Sequence, residues 1–201
     1  MHEIELLTTM PNTLNEDVLV VYEVDARASR LTVRAFATGF LSAFGHNPSI
    51  SVRNLRGEAR LASQTLDGAS LRAAVAVDSL AVENDISDKD RREMQRAMNE
   101  EVLEAGKFPE ISYECFRVSG NMTGERQFAF VLDGELTLHG VTRDQPISGR
   151  AFVTGDILRA SGELVLRLSD HQITPVSAVG GGLKLKDEVK INFDVVARKQ
   201  G

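Results

Sequence analysis

Apolar and polar residues alternate with period two along most of this chain, the mark of strands that bury one face. The clearest run sets Phe128, Phe130, Leu132, Gly134, Leu136 and Leu138 against Ala129, Val131, Asp133, Glu135 and Thr137. A second sets Leu158, Ala160, Gly162, Leu164, Leu166 and Leu168 against Arg159, Ser161, Glu163, Val165, Arg167 and Ser169. A third sets Val189, Ile191, Phe193, Val195 and Ala197 against Lys190, Asn192, Asp194 and Arg198. Weaker alternation marks 18–25, 30–38, 50–61, 70–78, 110–118 and 145–154, which brings the expectation to about eight or nine strands. In 50–61 the apolar parity changes between Val52 and Leu55, as a bulge would require. Turn residues separate the runs at Asp67-Gly68, 121–124, His139-Gly140 and Gly155-Asp156. Strands joined so locally form an antiparallel meander.

One segment departs from this period. Between Ser87 and Gly106, Met94, Ala97, Met98 and Val102 recur at helical spacing among charged residues. Ser87 with Asp90 resembles a capping box, and Gly106 followed by Pro109 supplies the stop. The expectation is one α-helix near residues 88–105 that bridges two strands and covers one opening. The first seventeen residues carry no period and read as an arm, leaving 18–201 as one domain.

A long meander must close on itself or pair with a second sheet, because open edges recruit other chains. Long, locally joined strands favour closure into a single extended antiparallel, lipocalin-like β-barrel. An eight-stranded barrel has an interior that side chains just fill or that takes one small ligand. Gly134, Gly149 and Gly162 fall on the apolar faces of consecutive strands. They either permit the bending that closure needs or leave room for a guest. The inward set of Phe, Leu, Ile and Val suits a lipid tail, each buried methylene contributing about 0.8 kcal/mol. Candidate lining residues are Phe128, Phe130, Leu132, Leu136, Leu138, Leu164, Leu166, Ile191, Phe193 and Val195, joined by Met94 and Met98 of the helix. The two methionines serve equally well as ordinary helix-to-barrel packing.

Composition narrows the classes. At 201 residues, with 42% hydrophobic and 26% charged residues, the chain fits one globular domain. A net charge of −6 argues against a nucleic-acid partner. A single cysteine, Cys115, excludes an intrachain disulfide and a multi-cysteine metal site. No apolar run is long enough for a spanning helix, so stable membrane insertion is not expected. The start Met1-His2-Glu3-Ile4 lacks the basic and apolar regions of a leader, which points to a cytoplasmic address, or a periplasmic one had a leader been removed.

Three stretches resemble the YceI-like family of lipid-binding proteins. They are 101–111, where a helix end runs through Phe108-Pro109 into a strand; 134–143, with its Leu136-Thr137-Leu138-His139-Gly140-Val141-Thr142 hairpin; and 183–193, near the carboxyl end. Tyr22-Glu23-Val24-Asp25 through Ser29 agrees in type, so the resemblance runs over roughly residues 18 to 198. It implies a barrel with a helix across it and an apolar pore for polyisoprenoid or other amphiphilic lipids, often a homodimer, without metal or redox cofactor. Asp170-His171-Gln172 stands where the family commonly has an aromatic-glycine pair.

Catalytic and metal signals are weak beside this. His46, His139 and His171 stand in separate loops without ligand spacing, so no metal is expected. His139 reads as a turn residue bonding local backbone, whereas His46, with Phe40 and Phe44, falls in an apolar loop suited to a pore mouth. No Gly-x-Ser-x-Gly elbow presents a serine. Cys115 shares strand parity with Ile111 and Tyr113 and reads as a buried, inert thiol. Gly180-Gly181-Gly182 lacks the Lys-Ser or Lys-Thr of a phosphate loop and reads as a connector. The leading expectation is a non-catalytic carrier or sequestering barrel. Its competitors are an enzyme using His46 or His171 at the mouth, which requires a histidine and a carboxylate to converge there, and a dimeric interaction module.

Overall fold

The computed structural model describes residues 19–38, 47–62, 65–174 and 184–201. Twelve strand segments run through them: β1 Val20–Val24, β2 Arg30–Thr38, β3 Ser49–Val52, β4 Leu55–Leu61, β5 Ser70–Ala76, β6 Leu80–Val82, β7 Glu110–Gly124, β8 Gln127–Leu138, β9 Val141–Asp144, β10 Ile147–Thr154, β11 Ile157–Arg167 and β12 Lys184–Lys199. All pairings are antiparallel, and β1 pairs with both β4 and β12, which closes the ring.

Twelve segments make eight staves. β9 and β10 face one strand, β8, on either side of Gln145-Pro146, with Leu138 opposite Val141 and Leu132 opposite Ile147. β1 and β2 likewise both lie along β12, Tyr22 opposite Lys199 and Leu31 opposite Phe193. Asp25 folds the excursion between them: its carboxylate accepts from the Arg27 and Ala28 amides at 3.1 and 3.2 Å, and its carbonyl accepts from the Ser29 hydroxyl at 2.8 Å. β3 with β4, and β5 with β6, are the other interrupted staves, the first breaking at Arg53-Asn54 where the parity changed. The result is the closed, eight-stave antiparallel barrel expected from the alternation.

Two local expectations need correction. Residues 121–124 do not turn: β7 continues to Gly124, opposite β8, and the reversal falls at Glu125-Arg126, with Arg126 at φ 54°. Their Asn, Thr and Gly composition mimics a turn, but the ladder to β8 outweighs it, with a bulge between Met122 and Gly124. The helix is not α throughout. It runs as α1, Asp88–Ala97, and leaves through a π turn at Met98–Val102. Ser87 caps it, its hydroxyl accepting from the Asp90 amide at 3.2 Å and donating to the Asp90 carboxylate at 2.7 Å. No residue of α1 is buried; Met98, at the exit, is.

The Gln95 side chain docks α1 on β6. Its amide donates to the Leu80 carbonyl at 2.7 Å, and its carbonyl accepts from the Val82 amide at 3.0 Å. Among the described residues no helix is long and apolar enough to cross a membrane.

Apolar packing gathers into three clusters. Tyr22, Leu61, Phe128, Val153, Leu158 and Ala197 lie at the end of the barrel that carries the Glu125-Arg126 and Gly155-Asp156 turns. Ala35, Leu138, Leu166, Ile173 and Val189 lie at the opposite end, with Val102 and Leu103 packed on them. Beside these, Leu55, Val75, Val77 and Leu80 receive Met98.

Candidate functional site

Between the end clusters the inward faces line a partly open cavity of about 300 Å³. Every stave contributes: Val24, Leu31 and Val33 from the first, Val52, Leu55 and Ala59 from the second, Leu71, Ala73 and Val75 from the third, Ile111 and Tyr113 from β7. The opposite wall holds Phe130, Leu132 and Leu136, then Ile147 and Ala151, then Ala160 and Leu164, then Ile191, Phe193 and Val195. The volume lies at the low end of the range usual for small-molecule sites.

Three of the wall residues are aromatic, and each ring lies across a glycine. A Cβ on Gly149 would stand 2.6 Å from Cζ of Phe130, and one on Gly162 would stand 2.6 Å from Cζ of Phe193. A Cβ on Gly134 would stand 2.7 Å from the Tyr113 hydroxyl. Phe130, Gly149, Gly162 and Phe193 are successive register partners on β8, β10, β11 and β12. The two phenyl rings therefore fold inward from either side over two adjacent bare backbones. These glycines leave no void; they make space that rings from neighbouring strands occupy, the cross-strand aromatic-over-glycine device of curved sheets.

The one hydroxyl among these rings is already engaged. The Tyr113 hydroxyl lies 3.0 Å from the Gln145 carbonyl and 3.4 Å from that of Leu132, and can donate to either. Burial first, then the nearby Cys115 and Asp133, push its ionisation well above the usual tyrosine range, so it stays a neutral donor. Charge is kept outside: Arg167 pairs with Glu188, Lys190 with Glu163 and Arg159 with Asp194, all on exposed side chains. Such pairs contribute little to stability and leave the interior to apolar contact.

Of the residues expected to line the pore, Phe130, Leu132, Leu136, Leu164, Ile191, Phe193 and Val195 border the cavity. Phe128, 1% exposed, packs instead into the cluster at one end, and Leu138 and Leu166 into the cluster at the other. Met98 is buried against Leu55, Val75 and Leu80, and Met94 on α1 is only half-buried; neither borders the cavity. Phe40, Phe44 and His46 fall outside the described residues, as do the amino-terminal arm and Gly180-Gly181-Gly182. The first three staves and β7, which sequence alternation marked only weakly, supply much of the wall. Their signal was the same period two, diluted by alanine and by breaks in phase.

His139 does not bond local backbone. Its Nε2 donates to Glu104 at 2.6 Å, and its ring lies 4.4 Å from that of Phe108. Both turn residues are left-handed, His139 at φ 52° and Gly140 at φ 71°, and a Cβ on Gly140 would meet Phe108 at 2.5 Å. The hairpin tip thus clasps the segment that leaves the helix. This is the histidine and carboxylate pair found within reach among the described residues, and neither member borders the cavity. His171 is buried and donates from Nδ1 to the Val141 carbonyl at 3.0 Å. Cys115 is buried, its thiol donating to the Arg117 carbonyl at 3.1 Å, and burial raises its pKa. Among the described residues no three His, Cys, Asp or Glu side chains gather as metal ligands would.

The family model described as a YceI-like domain matches residues 22–197. No curated protein matches the sequence. Among solved structures, Burkholderia cenocepacia BcnA superposes with a TM-score of 0.61 at 17% identity, covering 86% of this chain and 98% of that one. A polyisoprenoid binding domain from Saccharophagus degradans, implicated in plant cell wall breakdown, gives 0.65 at 12% identity, covering 90% and 99%. The Campylobacter jejuni YCEI protein gives 0.58 at 13% identity, covering 76% and 85%. At such identities the likeness is one of fold.

Proposed function

Because this chain belongs to the YceI-like domain family, and because its barrel surrounds an apolar cavity, we propose that it binds the hydrocarbon part of a lipid and carries or sequesters it without transforming it. The observation that carries this reading is the wall itself: rings and aliphatic side chains from every stave face one space, and the single wall phenol is already bonded to backbone. A polar substrate would lose its water there and gain no partner, a cost of several kcal/mol per group. A hydrocarbon gains about 0.8 kcal/mol for each methylene removed from water. The Saccharophagus degradans neighbour is a polyisoprenoid binding domain, which supports a prenyl or acyl chain as the class of guest. His139 and Glu104 serve the hairpin clasp in this reading, since neither reaches the cavity.

Native mass spectrometry of protein purified without detergent tests the proposal. The expected result is a stoichiometric adduct that organic extraction identifies as an apolar-chain lipid. A bare protein mass that stays bare after incubation with fatty acids and prenols would overturn it.

A further inference from the structure

We infer that the guest enters and leaves through the side of the barrel, at a break between β5 and the upper half of β7, which rests on the lipid-binding reading above. The ladder between these strands runs from Ala76 opposite Glu110 to Leu71 opposite Cys115 and stops there. β7 does not stop: it stays paired with β8 on its other side as far as Gly124 opposite Gln127. One edge of β7 is therefore bare along 116–123, and residues 119–123 are all exposed. Strands in a ladder stand about 4.8 Å apart and are hydrogen-bonded along their length, so no chain passes between them. Where the ladder ends only side chains stand in the way, and exposed ones change rotamer in picoseconds to nanoseconds.

The cavity reaches this break from both sides. Leu66, Ala69, Ser70 and Leu71 border it on the β4–β5 connection and the start of β5, and Val118 borders it on β7 beyond the ladder. Among the described residues no backbone hydrogen bond joins 65–69 to 116–123. Large apolar side chains stand along the bare edge: Phe116 is 66% exposed and Met122 51%. They offer a hydrocarbon its first contact out of water.

Other strand edges are tied. At the lower end of the same ladder the Val77 amide donates to the Pro109 carbonyl at 2.9 Å, and Gln95 of α1 meets the edge of β6 through Leu80 and Val82. β9 is held because the His171 ring donates to the Val141 carbonyl and the Arg143 guanidinium to the Asp170 carbonyl. A passage at the one bare stretch lets a guest move with both end clusters intact.

Stopped-flow kinetics of a fluorescent fatty acid binding to the full chain test this. Cys115 is buried, so a cysteine introduced at an exposed position takes a thiol-specific label alone. Met122→Cys and Ser119→Cys place one beside the break and off the cavity wall. Val165→Cys places one on β11, separated from β7 by β8 and β10, where Val165 is 49% exposed. Each is capped with a bulky methanethiosulfonate reagent, which a reductant removes. In Met122→Cys and Ser119→Cys, capping is expected to slow association and dissociation together by about fivefold or more, to leave Kd within about twofold, and to be reversed by reduction. In Val165→Cys it is expected to change neither rate. The uncapped form of each variant is its own folding control, and either of the first two decides the case should the other not fold. Rates unmoved in both, or slowed as much in Val165→Cys, overturn the side passage while lipid binding stands. So does a cap that weakens Kd without slowing dissociation, which makes this edge part of the binding site and not the way in. Failure of the fatty acid to bind the uncapped protein overturns the lipid-binding reading and this inference with it.

Discussion

The two ends of the barrel are closed by different means. At the end that holds Phe128, the fully buried residues Tyr22, Leu61, Phe128, Val153, Leu158 and Ala197 all belong to strands of the ring, with Leu66 and Ala69 of the β4–β5 connection packed on them, so the seal forms mainly with the ladder. At the end that holds Leu138, the seal includes Ile173, Val102 and Leu103, which stand outside the strands. Those residues are held by side-chain ties: Asp187 accepts from the amide and hydroxyl of Ser169, His171 donates to Val141, and His139 grips Glu104. A seal built from ladder residues opens only with the barrel, whereas one borne on connections opens at the cost of a few local bonds.

Substitutions can break or sharpen that contrast. Phe128→Ala is expected to have the largest effect, about 3–5 kcal/mol of global stability in denaturant titration, because the ring is fully enclosed by its stave neighbours. Ile173→Ala is expected to cost about 2–4 kcal/mol. Part of that cost should appear as faster amide exchange confined to 168–174, the sign of a locally opening end. Between the ends, Gly162→Ala is expected to cost about 1–3 kcal/mol, since its methyl meets both Phe193 and the Ser148 carbonyl at 2.6 Å. Glu104→Gln, which weakens the half-exposed clasp, is expected to cost about 1 kcal/mol or less and to speed exchange in the 139–140 turn.

The smallest effect is one of pH. Asp187 is held below its ordinary value of 3.8, chiefly by the Ser169 hydroxyl and then by the Ser169 amide. A carboxylate depressed in the folded state stabilises fully above its unfolded value and loses that contribution as pH falls through the folded one. Amide protection in 168–174, taken relative to the intrinsic exchange rate at each pH, should therefore fall below about pH 4, ahead of the Phe128 end. Asp187→Asn should remove that acid dependence.

The sequence made the faces legible and left the axis illegible. Parity correctly assigns Phe128, Phe130, Leu132, Leu136 and Leu138 to one side of β8, yet only the middle three border the cavity. Period two says which way a side chain points and nothing about how far along the barrel it stands. The role of Gly149 and Gly162 was hidden for a related reason, because the rings that need them come from other strands, and register between strands is not written in either one alone. The helix start was legible because Ser87 and Asp90 are near neighbours. Gln95 was not, because its partners Leu80 and Val82 belong to a strand edge that exists only once the sheet has formed.

The pairing of β1 with β12 carries a consequence for how the protein is made. Tyr22 lies opposite Lys199, so the seam that turns a curved sheet into a ring joins positions almost a full chain length apart. Hairpins such as β7 with β8 need only local encounters, but the seam must await synthesis of the last strand and then bear the entropy of closing the longest loop in the molecule. Until a nascent chain has emerged past residue 199, its partly built sheet has two bare edges and an unsheltered apolar face. That interval, more than any property of the finished barrel, is when the chain is most exposed to aggregation.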